Sequence, residues 1–502
     1  MINPQKIAFY WESESEARSY TFGQIEKLTN QIANFFVSKG VKKGDRVFFF
    51  LPRIPELYAG ILATQKMGAV GGAFFAAFGS QALLDRLKNS EAKVLITNQE
   101  LCRRVEPIRS QLPELKEIIL IDKKFARQVE NFPPVFKKAV VNPDEAGLML
   151  YTSATGNTPV CGIVLPRRAL NWQLKSAQLV LDLKDNDIYW CTADPGWVTG
   201  LIYGLLVPWH LGITQVIYTG RFTADKWVAL IEKYRVSLLY TAPTALRMLQ
   251  KEEASFKKIG LSSLRHVASV GEALTPASFK WFKNKFGLEV HDTWWQTETG
   301  SIMIANYPGI KVKAGSMGKP LPWIKAAIVN EKGQKLPNNQ TGFLVLRPPL
   351  ESALIDIWHR SENLKEYFHD NWYYSGDLAH QDKEGYFWFV GRANDVIKTS
   401  GERVGAFEVE TVLDNHPAVL EAAVIGKPDE LRGEIIKAFV VLKKNFKAST
   451  ALTEKLQFFT KKYLAGHAYP REIEYIEALP KNRAGKIVRR LLKAKELGLP
   501  PG

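Results

Sequence analysis

VFFFLPRIPELYAGILATQKMGAVGGAFF, residues 47–75, joins two short apolar runs through a segment of helical length. The short runs are rich in phenylalanine and valine, which is typical of buried strands. The same alternation continues in SQALLDRLKNSE (80–91) and AKVLITN (92–98), and it returns between residues 148 and 271. Repeated strand–helix–strand order predicts an α/β fold, in which helices cover parallel sheets and ligands bind at the carboxyl ends of strands.

The pattern changes after about residue 310, where AAIVNEKGQKLP and TGFLVLR read as strands joined by turns. The last 110 residues contain a pattern of their own, which includes FEVETVLDNHPAVLEAAVIG and EIIKAFVVL. A segment of this length can form a separate small domain. We therefore predict a large multi-sheet domain over residues 1–392 and a small α+β domain over residues 393–502.

Composition limits the classes of function. With 502 residues, 46% apolar and 24% charged, the chain is a folded protein with more than one core. A net charge of +16 favours anionic partners, but no zinc finger, RNA-binding strand or basic aromatic array supports nucleic acid. Three scattered cysteines and eight single histidines offer neither a disulfide framework nor a transition-metal site.

The sequence contains no recognisable targeting signal. No apolar run approaches the roughly 20 residues of a membrane span, and the amino end lacks the pattern of a signal peptide. We therefore expect a cytoplasmic protein. The strand-like run IAFYW begins at Ile7, so either the domain is compact there or a preceding segment is missing.

The loop YTSATGNTPVCG, Tyr151–Gly162, follows an apolar run where a parallel sheet would bind its ligand. Its hydroxyl groups and glycine can bring donors close to an anion. These residues are Thr152, Ser153, Thr155 and Gly156. The loop lacks the GxxxxGK[ST] pattern and has no lysine. Alone, such a turn is also consistent with an ordinary surface loop.

Two further motifs combine aromatic or glycine residues with a carboxylate. In DTWWQTETG (292–300), two tryptophans can form walls for a flat ring or a small apolar group, and Glu298 is a suitable ligand for Mg²⁺. In YYSGDLA, Asp377 follows a turn expected at Gly376 and can accept hydrogen bonds from ribose hydroxyls. A core strand end and a plain turn are the alternatives.

Two basic motifs follow. GRANDVIKTSGERVG places Arg392 and Arg403 in a glycine-containing segment that is suited to anions. LPKNRAGKIVRRLLK places Lys486 in a turn within a basic stretch. Such a stretch is also typical of a solvated surface.

Taken together and in this order, these motifs resemble the adenylate-forming (AMP-binding) superfamily of acyl-CoA synthetases. The resemblance covers almost the whole chain and is nearest to the acetyl-CoA synthetase branch, through TADPGWVTG, DTWWQTETG, YYSGDLA, TSGERVGAFEVE and PKNRAGKIVRR. It implies a carboxylic acid, ATP and CoA as substrates, Mg²⁺ as cofactor, a mobile small domain, and a monomer or small homo-oligomer. Binding of these anions accounts for the positive charge without nucleic acid.

The resemblance also implies a role for each matching residue. Adenine would be lined by Gly271, Glu272 and Ala273, and the segment Asp292, Thr293, Trp294, Trp295, Gln296 and Thr297 would hold adenine, the α-phosphate and the acyl group. Glu298 would lie near Mg²⁺, Asp377 would bind ribose, and Arg392 and Arg403 would contact ribose and phosphate. Lys486 would bridge the acid and the α-phosphate, Val198 and Thr199 would border the acyl and CoA sites, and Ser400 and Gly401 would line the pantetheine tunnel.

Trp295 predicts the size of the acid. In the resembled branch a tryptophan at this position closes the acyl pocket, and each excluded methylene is worth about 1 kcal/mol. Acetate is therefore expected, with propionate tolerated. A ligase for medium-chain or aromatic acids is the alternative that Trp295 opposes; the other interpretation of Trp295 is simple core packing.

The loop departs from the family pattern YTSGTTGxPKG. Ala154 replaces a glycine, one residue is added, and Val160 and Cys161 stand where the lysine belongs. Weaker ATP binding and slower adenylation follow, because each lost charge-assisted hydrogen bond costs about 1.5–3 kcal/mol. A reading-frame slip in the source sequence would give the same pattern. A non-catalytic paralogue that binds acyl-CoA or AMP is therefore a competing hypothesis, which the retained Lys486, Asp377 and Glu298 oppose.

Overall fold

The computed structural model describes residues 2–151, 161–252, 261–399, 402–464, 468–481 and 487–499, without the side chains of Asn394, Lys398, Glu402 and Arg403. The strands that lie before residue 393 are β1 Ile7–Glu12, β2 Ala17–Thr21, β3 Arg46–Phe50, β4 Val70–Ala73, β5 Val94–Thr97, β6 Glu117–Leu120, β7 Ala146–Tyr151, β8 Gly162–Pro166, β9 Ile188–Cys191, β10 Thr214–Tyr218, β11 Leu238–Thr241, β12 His266–Ser269, β13 Val290–Trp294, β14 Ile304–Ala305, β15 Lys319–Pro320, β16 Ala326–Val329, β17 Gly342–Leu346, β18 Asp356–Ile357, β19 Phe368–His369, β20 Trp372–Gln381 and β21 Phe387–Arg392. The strands that follow are β22 Val396–Thr399, β23 Glu402–Gly405, β24 Val419–Asp429, β25 Gly433–Leu442 and β26 Glu472–Tyr475.

The α-helices occupy the segments between these strands. They are α1 Phe22–Ser38, α2 Pro55–Met67, α3 Ser80–Ser90, α4 Gln99–Cys102, α5 Lys123–Glu130, α6 Ala169–Ser176, α7 Val198–Leu201, α8 Val207–Leu211, α9 Ala224–Tyr234, α10 Pro243–Lys251, α11 Pro276–Phe286, α12 Leu364–Tyr367, α13 Ala406–Asp414, α14 Thr450–Tyr463 and α15 Arg489–Glu496. None of the helices in the described residues is both long and apolar enough to cross a membrane.

Local sequence signals set several of these boundaries. Helix α1 begins after Thr21, whose hydroxyl accepts a hydrogen bond from Gln24 N while the Gln24 side chain accepts one from Thr21 N. Helix α2 begins with Pro55 in its first turn and ends at Gly68, where φ is +74°. Proline suits the first turn because its missing N–H would have no partner there, and glycine adopts positive φ without strain.

A seven-stranded sheet forms around the segment that predicted the fold. Its order is β18-β8-β7-β4-β3-β5-β6, and β4, β3, β5 and β6 run parallel. Val47, Phe48, Phe49 and Phe50 of β3 are fully buried. A parallel strand covered on both faces requires such a continuous apolar run.

The second large sheet has nine strands in the order β15-β14-β13-β12-β11-β9-β10-β1-β2. Its six strands from β13 to β1 in this order are parallel, with antiparallel strands at both edges. Together the two sheets confirm the predicted α/β fold class. Because β11, β12 and β13 are parallel neighbours, the segments that follow them meet at one edge of the sheet.

The described residues also form two five-stranded sheets. One contains β16, β17, β19, β20 and β21, and the other contains β22, β23, β24, β25 and β26. The second therefore draws all of its strands from residues that follow Arg392. Helix α13 packs against β24 and also against β21, so this carboxy-terminal unit contacts the preceding sheet.

One local expectation was wrong. Gly376 does not form a turn but lies within β20, where φ is +71° and the pairing with β17 shifts register, as in a β-bulge. The helix that begins at Ala169 is α-helical to Ser176 and continues as a π-helical turn over Ala177–Leu181. Periodicity alone does not distinguish these two helix types.

Candidate active site

Two of the predicted site segments converge at the carboxyl edge of the nine-stranded sheet. Gly271, Glu272 and Ala273 follow β12, and β13 runs into the motif DTWWQTETG so that Asp292, Thr293 and Trp294 form its end. Tyr240 on the neighbouring β11 shares a 2.8 Å hydrogen bond between its hydroxyl and Thr293 Oγ1. Polar groups from adjacent strands thus line one surface, as parallel topology requires.

Asp377 is the centre of a buried hydrogen-bond network. Its Oδ2 accepts from Trp294 Nε1 at 2.8 Å and from Gln296 Nε2 at 3.2 Å, and its Oδ1 lies 3.0 Å from Arg392 Nε. The Asp377 side chain is 3% exposed, whereas that of Arg392 is 46% exposed. The hydrogen bonds from Trp294 and Gln296 thus fix the carboxylate of Asp377. The guanidinium of Arg392 remains at the surface, where it can bind an anion.

The network extends to Tyr373, which the sequence did not single out as a site residue. Tyr373 Oη donates to Gln296 Oε1 at 2.7 Å, while Gln296 Nε2 also donates to Ser375 O at 2.8 Å. Both ends of the Gln296 amide are therefore held. The sequence did contain one signal for Tyr373. Alternate residues of a strand lie on the same face, and Tyr373, Ser375 and Asp377 of β20 are all buried.

Asp292 is a second buried carboxylate. Ser269 Oγ donates to its Oδ1 at 2.6 Å, and burial raises the pKa of Asp292 to about 7. Glu272 lies close enough for its charge to raise this pKa further. The two carboxyl groups predicted to border adenine therefore share one part of the site.

Glu272 is fixed by two residues that the sequence did not reveal. Arg247 Nη2 donates to Glu272 Oε2 and to Thr244 Oγ1, both at 2.6 Å, and Thr244 Oγ1 donates to Glu272 Oε1 at 2.6 Å. Burial lowers the pKa of Arg247, but the charge and hydrogen bond of Glu272, together with the charges of Asp414 and Glu421, raise it overall. Both Arg247 and Thr244 belong to α10, whose sequence gives no sign of a ligand site.

Trp295 lies in an aromatic cluster. Its ring stands edge-on to Tyr203 with ring centres 5.1 Å apart, and its Nε1 donates to Tyr240 Oη at 3.3 Å. Tyr203 in turn shares a 2.7 Å hydrogen bond with Ser176 Oγ. A half-buried indole held on two sides in this way presents a fixed wall.

Val198 and Thr199 begin the short helix α7, one turn before Tyr203. Thr199 is buried and Val198 is half-buried. Gly200 permits this placement, because a Cβ there would lie 2.2 Å from Asp194 O. These positions are compatible with the predicted pocket border, since Val198 and Trp295 pack against the same buried cluster.

Thr297 and Glu298 continue from the same motif and are half-buried. The backbone of Glu298 is held by Leu354 N, which donates to Glu298 O at 2.8 Å. Within the described ranges, no three His, Cys, Asp or Glu residues form a metal-binding group. A single carboxylate is what Mg²⁺ needs when phosphate oxygens and water supply its other ligands, so Glu298 fits the predicted role.

The remaining predicted residues lie on elements that the structure describes only in part. Arg403 is on β23 opposite Lys398, but its side chain is outside the described part. Also outside the described residues are Thr152, Ser153, Thr155 and Gly156 of the loop, Ser400, Gly401 and Lys486. The structure therefore brings together residues that were predicted to contact adenine, ribose and the acyl group, but it does not test the predicted roles of Lys486, Ser400 and Gly401.

Comparison with known proteins agrees with this arrangement. The family described as AMP-binding enzyme matches residues 2–351, and the AMP-binding enzyme C-terminal domain matches residues 408–486. The acetyl-coenzyme A synthetase of Bacillus subtilis (strain 168) is 47% identical, over 99% of this chain and 88% of the relative. That of Methanothrix thermoacetophila (strain DSM 6194 / JCM 14653 / NBRC 101360 / PT) is 37% identical, over 99% of this chain and 81% of the relative.

A solved structure supports the same assignment. The crystal structure of the anthranilate CoA ligase AuaEII in complex with anthranoyl-AMP has a TM-score of 0.91 at 30% identity, covering 98% of this chain and 94% of that one. The resemblance inferred from the motifs is thus confirmed by full-length sequence similarity and by fold. The chain belongs to the AMP-binding enzyme family, in the branch of the acetyl-coenzyme A synthetases.

Proposed function

We propose that this protein is an ATP-dependent acetate–CoA ligase. In the first step a carboxylate oxygen attacks the α-phosphorus of ATP, the bond to the bridging oxygen breaks, and pyrophosphate leaves. In the second step the sulfur of CoA attacks the acyl carbon, AMP leaves with the bonding electrons, and the thiol proton is released. The observation that carries the proposal is full-length similarity to acetyl-coenzyme A synthetases together with the buried network around Asp377.

The residues of the nucleotide site would orient the α-phosphate for attack. Asp377, fixed by Trp294 and Gln296, would accept hydrogen bonds from the ribose hydroxyls, and the surface-facing Arg392 would meet ribose or phosphate. Asp292 and Glu272 would border adenine. Because these groups are held by neighbours before the nucleotide arrives, they require little rearrangement during the reaction.

Charge must be neutralised where two anions meet. Lys486 would lie between the acid and the α-phosphate in the first step, and Mg²⁺ near Glu298 supplies further positive charge to the phosphates when it is bound. Lys486 has no role in thiol attack, so movement of the small domain would replace it by Ser400 and Gly401. Arg403 is proposed to contact ribose or phosphate.

The preference for acetate is attributed to Trp295. Its ring is fixed by Tyr203 and Tyr240, so a longer alkyl chain would have to displace a rigid wall. Val198 and Thr199 would form the other borders of the acyl and CoA sites. A medium-chain or aromatic acid would need the volume that this indole fills.

The division into residues 1–392 and 393–502 is proposed on the same basis. It is supported by the separate carboxy-terminal sheet, whose strands begin at Val396. A cytoplasmic location and a monomeric or small oligomeric state remain predictions from the sequence.

The test is acetate-dependent exchange of labelled pyrophosphate into ATP, with Lys486→Ala as the matched control. Exchange that requires Lys486, followed by acetyl-CoA formation when CoA is added, is the expected result. No exchange with acetate or longer acids, from folded protein that still binds CoA, would instead establish a binding protein without ligase activity. Replacement of residues 151–162 by YTSGTTGNPKG would then reveal whether the loop is the cause.

A further inference from the structure

The loop that follows β7 has no positive charge of its own. Residues 151–162 contain neither lysine nor arginine, and the β7–β8 hairpin is closed by pairing of Tyr151 with Gly162. A triphosphate carries several negative charges, and phosphate sites in proteins use arginine or lysine to compensate them. If ATP binds beside this hairpin, a cation must come from another segment.

A second segment runs alongside the end of the loop. Strand β18 pairs with β8 in antiparallel orientation, and Trp358 N donates to Gly162 O at 2.8 Å. This pairing carries the chain past the hairpin and places Arg360 next to it. The guanidinium Nη1 of Arg360 lies 3.7 Å from Cys161 Sγ.

The charge of Arg360 is not neutralised within the described part of the chain, where no carboxylate oxygen lies within 4.0 Å of its guanidinium. Other arginines of the protein differ in this respect: Arg247 pairs with Glu272, and Arg489 pairs with Glu410. Arg360 is also only half-buried. A partly exposed guanidinium whose charge is not neutralised by a carboxylate is suited to binding an anion from solution.

The neighbourhood of Arg360 is continuous with the nucleotide site. Burial raises the pKa of the Tyr367 hydroxyl, the charges of Glu298 and Cys161 raise it further, and Arg392 lowers it. Tyr367 is therefore close enough to Glu298, Cys161 and Arg392 to be influenced by their charges. The segment that carries Arg360 contacts the same region, since Leu354 N donates to Glu298 O at 2.8 Å and, four residues later, Trp358 N donates to Gly162 O.

We propose that Arg360 binds the terminal phosphates of ATP and supplies the positive charge that the loop of this chain lacks. The inference rests on the proposed function, because it assumes ATP as the substrate. It also explains how a loop without lysine is compatible with adenylation. The planar guanidinium offers two parallel donors to phosphate oxygens, which a cysteine at position 161 cannot provide.

The test compares nucleotides with and without terminal phosphates. Binding of ATP and of AMP, with Mg²⁺ and without acid or CoA, is measured by calorimetry for the natural chain, Arg360→Ala and Arg360→Lys. Arg360→Ala is expected to weaken ATP binding roughly 10- to 100-fold and to leave AMP binding within about twofold. Arg360→Lys should recover part of the loss. Arg127→Ala, at an exposed position of α5, controls for the loss of one positive charge.

A second variant separates a phosphate contact from a structural effect. Cys161→Lys returns a cation to the loop, so it should restore ATP binding to Arg360→Ala. Equal loss of ATP and AMP binding, unchanged ATP binding, or a failure of Cys161→Lys to restore it would each overturn the proposal. Since these measurements need no acid, absence of acetate-dependent exchange would count against the proposed ligase without affecting the role of Arg360.

Discussion

Trp294 Nε1 donates a 2.8 Å hydrogen bond to Oδ2 of Asp377, and this contact joins the nine-stranded sheet to the sheet that contains β20. The carboxylate of Asp377 is 3% exposed; it accepts a second hydrogen bond from Gln296 and forms an ion pair with the guanidinium of Arg392. A hydrogen bond to a buried charged group is stronger than one between neutral groups. The position of the carboxylate that is proposed to bind ribose therefore depends on a residue from a different sheet.

Trp294→Phe removes the donor and keeps most of the ring. We expect the KM for ATP to rise about tenfold, since loss of a hydrogen bond to a charged group costs about 1.5–3 kcal/mol. Steady-state kinetics at saturating acetate and CoA measure the effect. Trp388→Phe is the matched control, because Trp388 Nε1 donates at 3.2 Å to Asp382, a carboxylate outside the proposed site. Similar kinetics for both variants would contradict a specific role for Trp294.

Substitution of Trp295 tests whether this residue limits the size of the proposed acyl pocket. Trp295→Gly removes the wall held by Tyr203 and Tyr240, so propionate and butyrate should gain in kcat/KM relative to acetate by at least tenfold. Competition between acids in the pyrophosphate exchange assay measures the ratio. Trp281→Ala, on α11, should not change it. If longer acids gain nothing while acetate activity falls, Trp295 is a packing residue and another group limits the pocket.

Stability should depend on pH through Asp414, the last residue of α13. Burial raises the pKa of Asp414 to about 8; the charge of Arg247 lowers it, and those of Glu410 and Glu421 raise it. Its Oδ1 is buried and has no hydrogen-bond partner among the described residues. The folded protein thus retains a proton that the unfolded chain releases above its ordinary pKa of 3.8. This contribution to stability is fully present below that value and is lost as the pH rises through about 8.

Asp414→Asn keeps the shape of the side chain and removes the titration. The unfolding free energy of the variant should increase relative to that of the natural chain as the pH is raised from 5 to 9, measured by urea unfolding at each pH. Asp225→Asn, at an exposed position of α9, controls for the loss of one carboxylate. A difference between the Asp414 variant and the natural chain that stays constant with pH would exclude this linkage.

The sheets and the strand-end motifs could be predicted from the sequence, because buried parallel strands require continuous apolar runs such as Val47–Phe50. The residues that contact the carboxylates of the proposed site could not be predicted from the sequence. Arg247 contacts Glu272 only because α10 follows β11 and lies beside the end of β12, and Tyr203 faces Trp295 from a π-helical turn. Such contacts depend on strand order and on the rotation of helices, which local periodicity does not encode.

Gly300 links stability to the position of Glu298. Its φ is +68°, and a Cβ at this position would lie 2.0 Å from Ser352 O. The two residues before Gly300 are bound to the same neighbouring segment, since Leu354 N donates to Glu298 O at 2.8 Å and Ser352 Oγ donates to Thr299 O at 2.7 Å. A side chain on Gly300 would therefore force apart the two segments that hold Glu298 in place.

Gly300→Ala should lower the free energy of unfolding by more than the roughly 1–2 kcal/mol that a left-handed conformation alone costs. It should also raise the Mg²⁺ concentration needed for half-maximal exchange, because Glu298 moves with the segment. Gly287→Ala is the matched control, since Gly287 has φ of +71° but open space around its Cβ. That variant should lose only the conformational part of the stability and keep its Mg²⁺ dependence. Equal effects of the two substitutions on both measurements would mean that packing on Ser352 does not position Glu298.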